Sequence, residues 1–202
     1  MKFSVSRDTL LRPLTIVAGA VERRQTMPIL SNILLKLKGN RLLATGTDLE
    51  VELSAEVAVE GDGDGEITVP ARKFLDICKS LPDGSDIRFW VDDAKAILQS
   101  GKSRFSLVSL PATDFPSVQR DKKSFSVTVG QKAFADLIHR TAFSMAQQDV
   151  RYYLNGMLWE LNSDSLRAVA TDGHRLAVAD VPLLSAKDNG SDSQQVIVPR
   201  KG

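Results

Sequence analysis

Apolar residues recur along this chain with two alternating periods. Lys2–Val5 alternates polar and apolar, and then Leu10, Leu14, Val17 and Val21 recur at helical spacing, so a strand leads into a helix. Pro13 falls inside that helical pattern and is expected to delay the helix start or to kink the helix. SNILLKL and RLLATGT read as strands, and VELSAEVAV alternates as a half-buried strand does. RKFLDICKSL places Phe74, Ile77, Cys78 and Leu81 on one helix face and stops before Pro82. DIRFWVD, KAILQS and SRFSLVSL read as further strands, with SGK marking a hairpin turn. Antiparallel strands with two helices on one face define an α+β layer.

The pattern then repeats. FSVSRDTLLRPL is echoed by FSVTVGQKAFADL, ILSNILLKL by YLNGMLWEL, NRLLATGTDLEVEL by DSLRAVATDGHRLAV, and EITVPARK by QVIVPRK. Thr47-Asp48 recurs as Thr171-Asp172, an offset of 124, with one extra residue expected in the second turn. Four matches in the same order indicate a duplicated fold. The polar link TDFPSVQRDKKS separates the copies, which places domain one at residues 1–120 and domain two at 121–202. The second copy has a strand, a helix carrying Phe134, Leu137, Ile138 and Met145, and then strands around the TDGHR turn. By analogy with the first copy, its second helix and closing strands, about forty residues, are expected to be missing.

Composition narrows the classes. The chain is 43% hydrophobic and 25% charged, ordinary for a globular protein, and has no run long enough for a membrane helix. The opening MKFSVSRDTLL carries no long apolar core of the secretory kind. The single cysteine, Cys78, excludes an internal disulfide and a multi-cysteine metal site, which points to a cytoplasmic location. With 26 basic and 25 acidic residues, any contact with DNA must rely on locally sorted charge. Arg7 and Arg12, Lys73 and Lys79, and Lys132 and Arg140 lie opposite the apolar stripes of the three helices, where they could face phosphates or simply be solvated.

MKFSV, TMPIL, GTDLE, VPARKF, SRFSL, DFP, FSMAQQDVRYYLNGMLWE, VATDGHRLAV and VIVPRKG together resemble the bacterial DNA polymerase III beta subunit family, the replicative sliding clamps. The resemblance runs the whole chain in order. It implies a DNA-clamp fold with helices on the inner face, in a homodimeric ring whose chains each carry three similar domains. Such a ring encircles duplex DNA without reading sequence and tethers the polymerase, with no cofactor and no catalytic residue. The partners implied are double-stranded DNA, the DNA polymerase III alpha subunit, the clamp loader and other clamp-motif proteins. This sequence then covers domain one and most of domain two, and domain three is absent.

The resemblance assigns a peptide-motif pocket to Leu154, Thr171, Gly173, His174, Arg175 and Leu176, and DNA contacts to Arg24, Gln148, Tyr152, Tyr153, Arg200 and Lys201. Leu154 and Leu176 supply apolar walls and the turn a polar rim, although both leucines can equally be core. If Tyr152 and Tyr153 lie on a strand, they point to opposite faces, one inward and one exposed. SRFSLVSL resembles the subunit-interface strand, with Phe105 and Leu107 on one exposed face and Lys73, Lys102 and Arg104 available for ion pairs. Without the partner surface, a monomer or a non-native association is expected.

Two other classes stay open. One is a truncated peptide-binding module that competes for polymerase or clamp-loader motifs without retaining DNA. The other is a hydrolase using His174. Asp172 and His174 are two residues apart in a tight turn and poorly placed to pair, and Asp-Gly suits a turn, so the turn reading is preferred.

Overall fold

The computed structural model describes residues 1–21, 27–93, 95–116, 126–187 and 194–202. The chain divides into two compact units, Met1–Val118 and Gln119–Gly202.

The first unit runs β1 (Lys2–Ser6), α1 (Arg7–Ala18), β2 (Asn32–Lys38), β3 (Arg41–Thr47), β4 (Glu52–Ala58), β5 (Glu60–Asp62), β6 (Gly65–Pro70), α2 (Ala71–Ser80), β7 (Asp86–Asp92), β8 (Lys95–Ser100) and β9 (Ser103–Val108). Two antiparallel sheets form, ordered β5-β1-β7-β8-β9 and β4-β3-β2-β6. Ser6 Oγ accepts the Thr9 N–H at 3.2 Å, which fixes the start of α1 at Arg7, so the late start expected from Pro13 is not found. A mid-helix proline costs about 3 kcal/mol, and burying Leu10, Leu14 and Val17 returns about 1.5–3 kcal/mol each. The core is tight. Phe3 stacks on Phe89 with centroids 4.8 Å apart, and Phe74 of α2 closes over Phe89 at 6.0 Å.

Two further expectations fail in this unit. Leu107 is buried in the core and Phe105 packs against it, so the exposed Phe–Leu edge is not there. Strand alternation turns Arg104, Ser106 and Val108 outward instead. Arg7 is also no part of a diffuse cationic face. Its side chain is mostly covered and is engaged by Asp8 at 2.8 Å, Asp83 at 2.6 Å and the Cys78 carbonyl at 3.2 Å.

The second unit repeats the plan. It contains β10 (Ser126–Thr128), α3 (Gln131–Thr141), β11 (Gly156–Leu161), β12 (Ser165–Thr171), β13 (Leu176–Pro182), β14 (Ser185–Lys187) and β15 (Gln194–Pro199), with sheets β10-β14 and β13-β12-β11-β15. β12 and β13 match β3 and β4 at the same offset throughout, so the two turns are equal in length and the extra residue expected in TDGHR does not exist. β15 matches β6 five residues beyond that offset, with Gly156 paired to Pro199 as Asn32 is to Pro70. Met145 lies beyond α3, after a 3-10 turn at Ala142–Ser144, yet it still reaches the core. The helical period therefore ran on past the helix because the next turn buries the same side.

The two cores differ in closure. Val127, Val129, Phe134, Trp159, Leu161 and Val198 line an open apolar groove of about 470 Å³. Their counterparts Phe3, Val5, Leu10, Leu35, Leu37 and Val69 are all buried in one cluster with Phe74, Cys78, Ile87 and Phe89. Phe134 packs edge-on to Trp159 at 5.4 Å, and the buried Trp159 Nε1 has no partner among the described residues.

Candidate functional site

The site begins with the turn between β12 and β13. Thr171 Oγ1 donates to the Arg175 carbonyl at 2.7 Å and accepts the Gly173 N–H at 3.1 Å. Asp172 Oδ1 accepts the His174 and Arg175 N–H groups, each at 3.0 Å. Those two amides, then the Arg175 side chain at 3.0 Å, hold the Asp172 carboxyl down at about 2. Asp172 is committed to these amides and to Arg175, so among the described residues no carboxylate is bonded to the His174 ring and no hydrolytic constellation forms at this turn. Gly173 takes φ +89°, the left-handed conformation this turn imposes at its third residue.

Facing the turn is the 145–155 loop. Asp149 receives the Arg151 guanidinium in a two-point pair at 3.0 and 2.9 Å and also accepts the Arg151 N–H, and these contacts hold its carboxyl at about 2. Asn155 brackets the same residue, accepting the Asp149 N–H and donating to its carbonyl. Between loop and turn lies an open polar depression of about 380 Å³, lined by Met145, Asp149, Arg151, Asp172, His174 and Arg175 among others. The Arg175 guanidinium also lies 5.7 Å from the Phe143 ring centre.

Thr171, Gly173, His174, Arg175 and Leu176 are brought together on one turn. Leu176 is 63% exposed, and Leu154 is buried at the end of the Tyr152–Asn155 3-10 turn, its carbonyl accepting the Ala146 N–H. The alternative in which both leucines are core therefore fails for Leu176. Tyr152 and Tyr153 sit on that 3-10 turn and not on a strand, and both are exposed, with ring centres 5.9 Å apart. Gln148 is exposed on the loop at φ +57°. Arg200 donates its N–H to the Asn155 carbonyl, with Nη1 3.5 Å from the Met145 carbonyl, and Lys201 follows in the same terminal turn. Arg24 lies outside the described residues. In the first unit Lys73 is exposed on α2, Lys102 in the β8–β9 turn, and Arg104 on the edge strand β9, 5.5 Å from the Trp90 ring centre.

Sequence reasoning missed Asp149, Arg151, Asn155 and the apolar row beside the turn. Strand register sets Val178, Val169, Leu158 and Ile197 side by side across the face opposite α3. The matching row of the first unit is Ser54, Thr45, Leu34 and Thr68. The signal was available: aligning the copies position by position puts Leu176 against Glu52 and Val178 against Ser54.

The second unit thus sets an apolar strip beside a hydrogen-bonded polar turn on a duplicated α+β layer. The chain belongs to the DNA polymerase III beta subunit family: residues 1–119 match the profile of its N-terminal domain and residues 128–202 that of its central domain. It is 55% identical to the beta sliding clamp of Pseudomonas aeruginosa and 50% identical to that of Escherichia coli, each over 203 residues. Both alignments cover 100% of this chain and 54% of the relative, so the chain spans about half the length of the curated relatives it matches. The crystal structure of the Pseudomonas aeruginosa DNA polymerase III subunit beta superposes with a TM-score of 0.89 at 53% identity, covering all of this chain and 54% of that one. Caulobacter crescentus pol III beta superposes at 0.87 with 42% identity, covering all of this chain and 55% of that one. The fold is the clamp fold. Among the described residues no helix is long and apolar enough to cross a membrane, and no group of His, Cys, Asp or Glu is arranged to hold a metal.

Proposed function

We propose that this chain is the portion of a replicative sliding clamp that carries the docking site for a short partner peptide. In the longer protein, two such chains encircle duplex DNA and tether the polymerase in the cytoplasm without any catalytic step of their own. The observation that carries the reading is the exposed Leu176 beside Val178, Val169, Leu158 and Ile197, next to a hydrogen-bonded polar rim, where the first unit is polar. An apolar strip with fixed polar groups at its edge suits an extended peptide presenting apolar side chains. The polymerase alpha subunit and the clamp loader are the expected sources of that peptide.

The DNA-facing role goes to Gln148, Tyr152, Tyr153, Arg200 and Lys201, joined by Arg24. The exposed tyrosines offer stacking faces and the basic residues offer charge to phosphates. Lys73, Lys102 and Arg104 are proposed to pair across a subunit junction, with Phe105 and Leu107 stiffening that edge from inside. We further propose that the open groove of the second unit seats a helix and strand equivalent to α2 and β7, which cover the same positions in the first unit.

The test is fluorescence polarisation of a labelled peptide bearing the polymerase's clamp-binding motif, against the 202-residue chain and its Leu176→Asp variant. The expected result is saturable binding that the variant loses by more than about tenfold, since a carboxylate is forced into an apolar contact. Equal binding to both, with circular dichroism unchanged, sinks the docking site at this turn.

A further inference from the structure

Both units build the same turn, yet they fill its third position differently. In the first unit Thr47 Oγ1 accepts the Leu49 N–H at 3.0 Å, and Asp48 Oδ1 accepts the Glu50 and Val51 N–H groups at 3.0 and 2.8 Å. Thr171 and Asp172 accept the corresponding backbone N–H groups, residue for residue. Leu49 accordingly adopts φ 76°, against +89° for Gly173. A leucine thus survives at a position whose conformation disfavours any side chain. The conformation alone does not demand glycine in the second unit.

What differs is Arg151. A Cβ on Gly173 would stand 3.3 Å from Arg151 Nη2 and 3.5 Å from Nη1, so the guanidinium rests against the glycine's bare α carbon. The counterpart of Arg151 in the first unit is Met27, an exposed apolar residue. Arg151 cannot easily yield, because Asp149 grips it through both Nε and Nη2. Asp149 is held in turn by Asn155, whose carbonyl accepts the Arg200 N–H at 3.1 Å. An unbroken line of contacts therefore runs from the turn that carries Leu176, through Arg151, Asp149 and Asn155, to Arg200. It passes through the loop bearing Gln148 and Tyr152.

We infer that Arg151 is a positioning residue of the docking site, a strut that fixes the TDGHR turn against the 145–155 loop, so that a peptide seated on the turn also stiffens the loop. The inference rests on the peptide-docking reading. Its physical basis is a planar, doubly bonded cation packed on a residue without a side chain, which leaves loop and turn one relative arrangement. Coupling between two such sites is measurable as a change in one when the other is filled.

The experiment measures binding of the labelled polymerase peptide to the wild-type chain, Arg151→Ala, Arg151→Lys, Gly173→Ala and the Arg151→Ala/Gly173→Ala double variant. Amide exchange of Asp149, Arg151 and Leu154 is followed with and without peptide. Arg151→Ala is expected to weaken the peptide about tenfold and to abolish the peptide-induced slowing of loop exchange. Arg151→Lys should fail to restore either, because an ammonium cannot make the two-point pair. Gly173→Ala should weaken binding in the wild-type background, where its methyl displaces the guanidinium, and change it by less than about twofold when residue 151 is alanine. Equal losses from Gly173→Ala in both backgrounds, or loop protection that persists in Arg151→Ala, overturn the strut. A wild-type chain that binds no peptide overturns the docking reading and the inference together.

Discussion

The two units share one plan and are finished differently. In the first, the apolar side chains of β1, α1, β2 and β6 are covered by Phe74 and Cys78 of α2 and by Ile87 and Phe89 of β7. In the second, the corresponding side chains line an open groove. The opposite faces reverse the contrast. Beside its turn the first unit is polar, with Ser54 and Thr45 sharing a hydrogen bond at 3.1 Å and Thr68 taken up by Asn32 and Leu110, while Leu110 and Phe115 pack over Ile29, Leu30 and Leu34. The second unit sets Val178, Val169, Leu158 and Ile197 on those strands and leaves Leu176, Val178 and Ile197 about half exposed. Duplication preserves backbone register because register follows from the ladder. Each face is then free to change its chemistry without disturbing the fold.

The largest expected break of this comparison is in the closed core. Phe74→Ala should cost about 3–5 kcal/mol in urea unfolding, because the ring fills the space over Phe89 and neither helix nor sheet can collapse onto it. The second unit, with its groove open, is expected to unfold at lower urea than the first. Cys78 reports the difference. Burial pushes its thiol up to about 12, so alkylation should lag behind the loss of Trp159 fluorescence and follow only the second transition. Simultaneous labelling and fluorescence change would show that the two units melt as one.

Next comes the exchange of surface chemistry. Giving the second unit the first unit's residues, Val178→Ser with Ile197→Thr, should lower peptide affinity about tenfold while unfolding stability moves by less than about 1 kcal/mol, since both side chains are half exposed. Peptide binding unaltered by the pair would confine docking to the turn alone. A smaller effect is expected at the strained position of the first turn. Leu49→Gly relieves left-handed strain but loosens the unfolded chain, and the net gain should be at most about 1 kcal/mol, read from the urea midpoint of the first unit.

The least effect is electrostatic. Asp172 in the folded turn titrates at about 2 against its ordinary 3.8, depressed by the His174 and Arg175 amides, and Asp149 is depressed similarly by Arg151. Because the folded value lies below the unfolded one, the stabilisation is complete above about pH 4 and is lost as pH falls toward 2. Exchange of the His174 and Arg175 amides should accelerate over that window in the wild-type chain. In Asp172→Asn it should be fast already at neutral pH and should change less there.

Much of the fold was legible because repetition amplified a weak signal. Strands and helices followed from periods of two and 3.6, and the TDGHR turn followed from Asp-Gly chemistry. Legibility failed where one pattern has two outcomes. Phe105 and Leu107 share a strand face, but which face turns inward is set by ladder register, which puts Phe105 beside the buried Leu98 and Phe89 of the same sheet. Tyr152 and Tyr153 would face opposite ways if they lay on a strand, but the 3-10 turn that carries them exposes both. Arg7 read as one more surface cation until Asp83, far along the chain, was folded against it.

The sequence by itself determined the duplication, the family and the six polar and apolar positions of the turn from Thr171 to Leu176, because these are local patterns or ordered matches that need no partner. Only the tertiary structure decided what surrounds them. It placed Arg151 on Gly173, set Ile197 beside Leu158 and left Leu176 exposed while burying Leu154. Those facts belong to pairs of segments brought together by sheet register and loop closure, and no single stretch of the chain carries them.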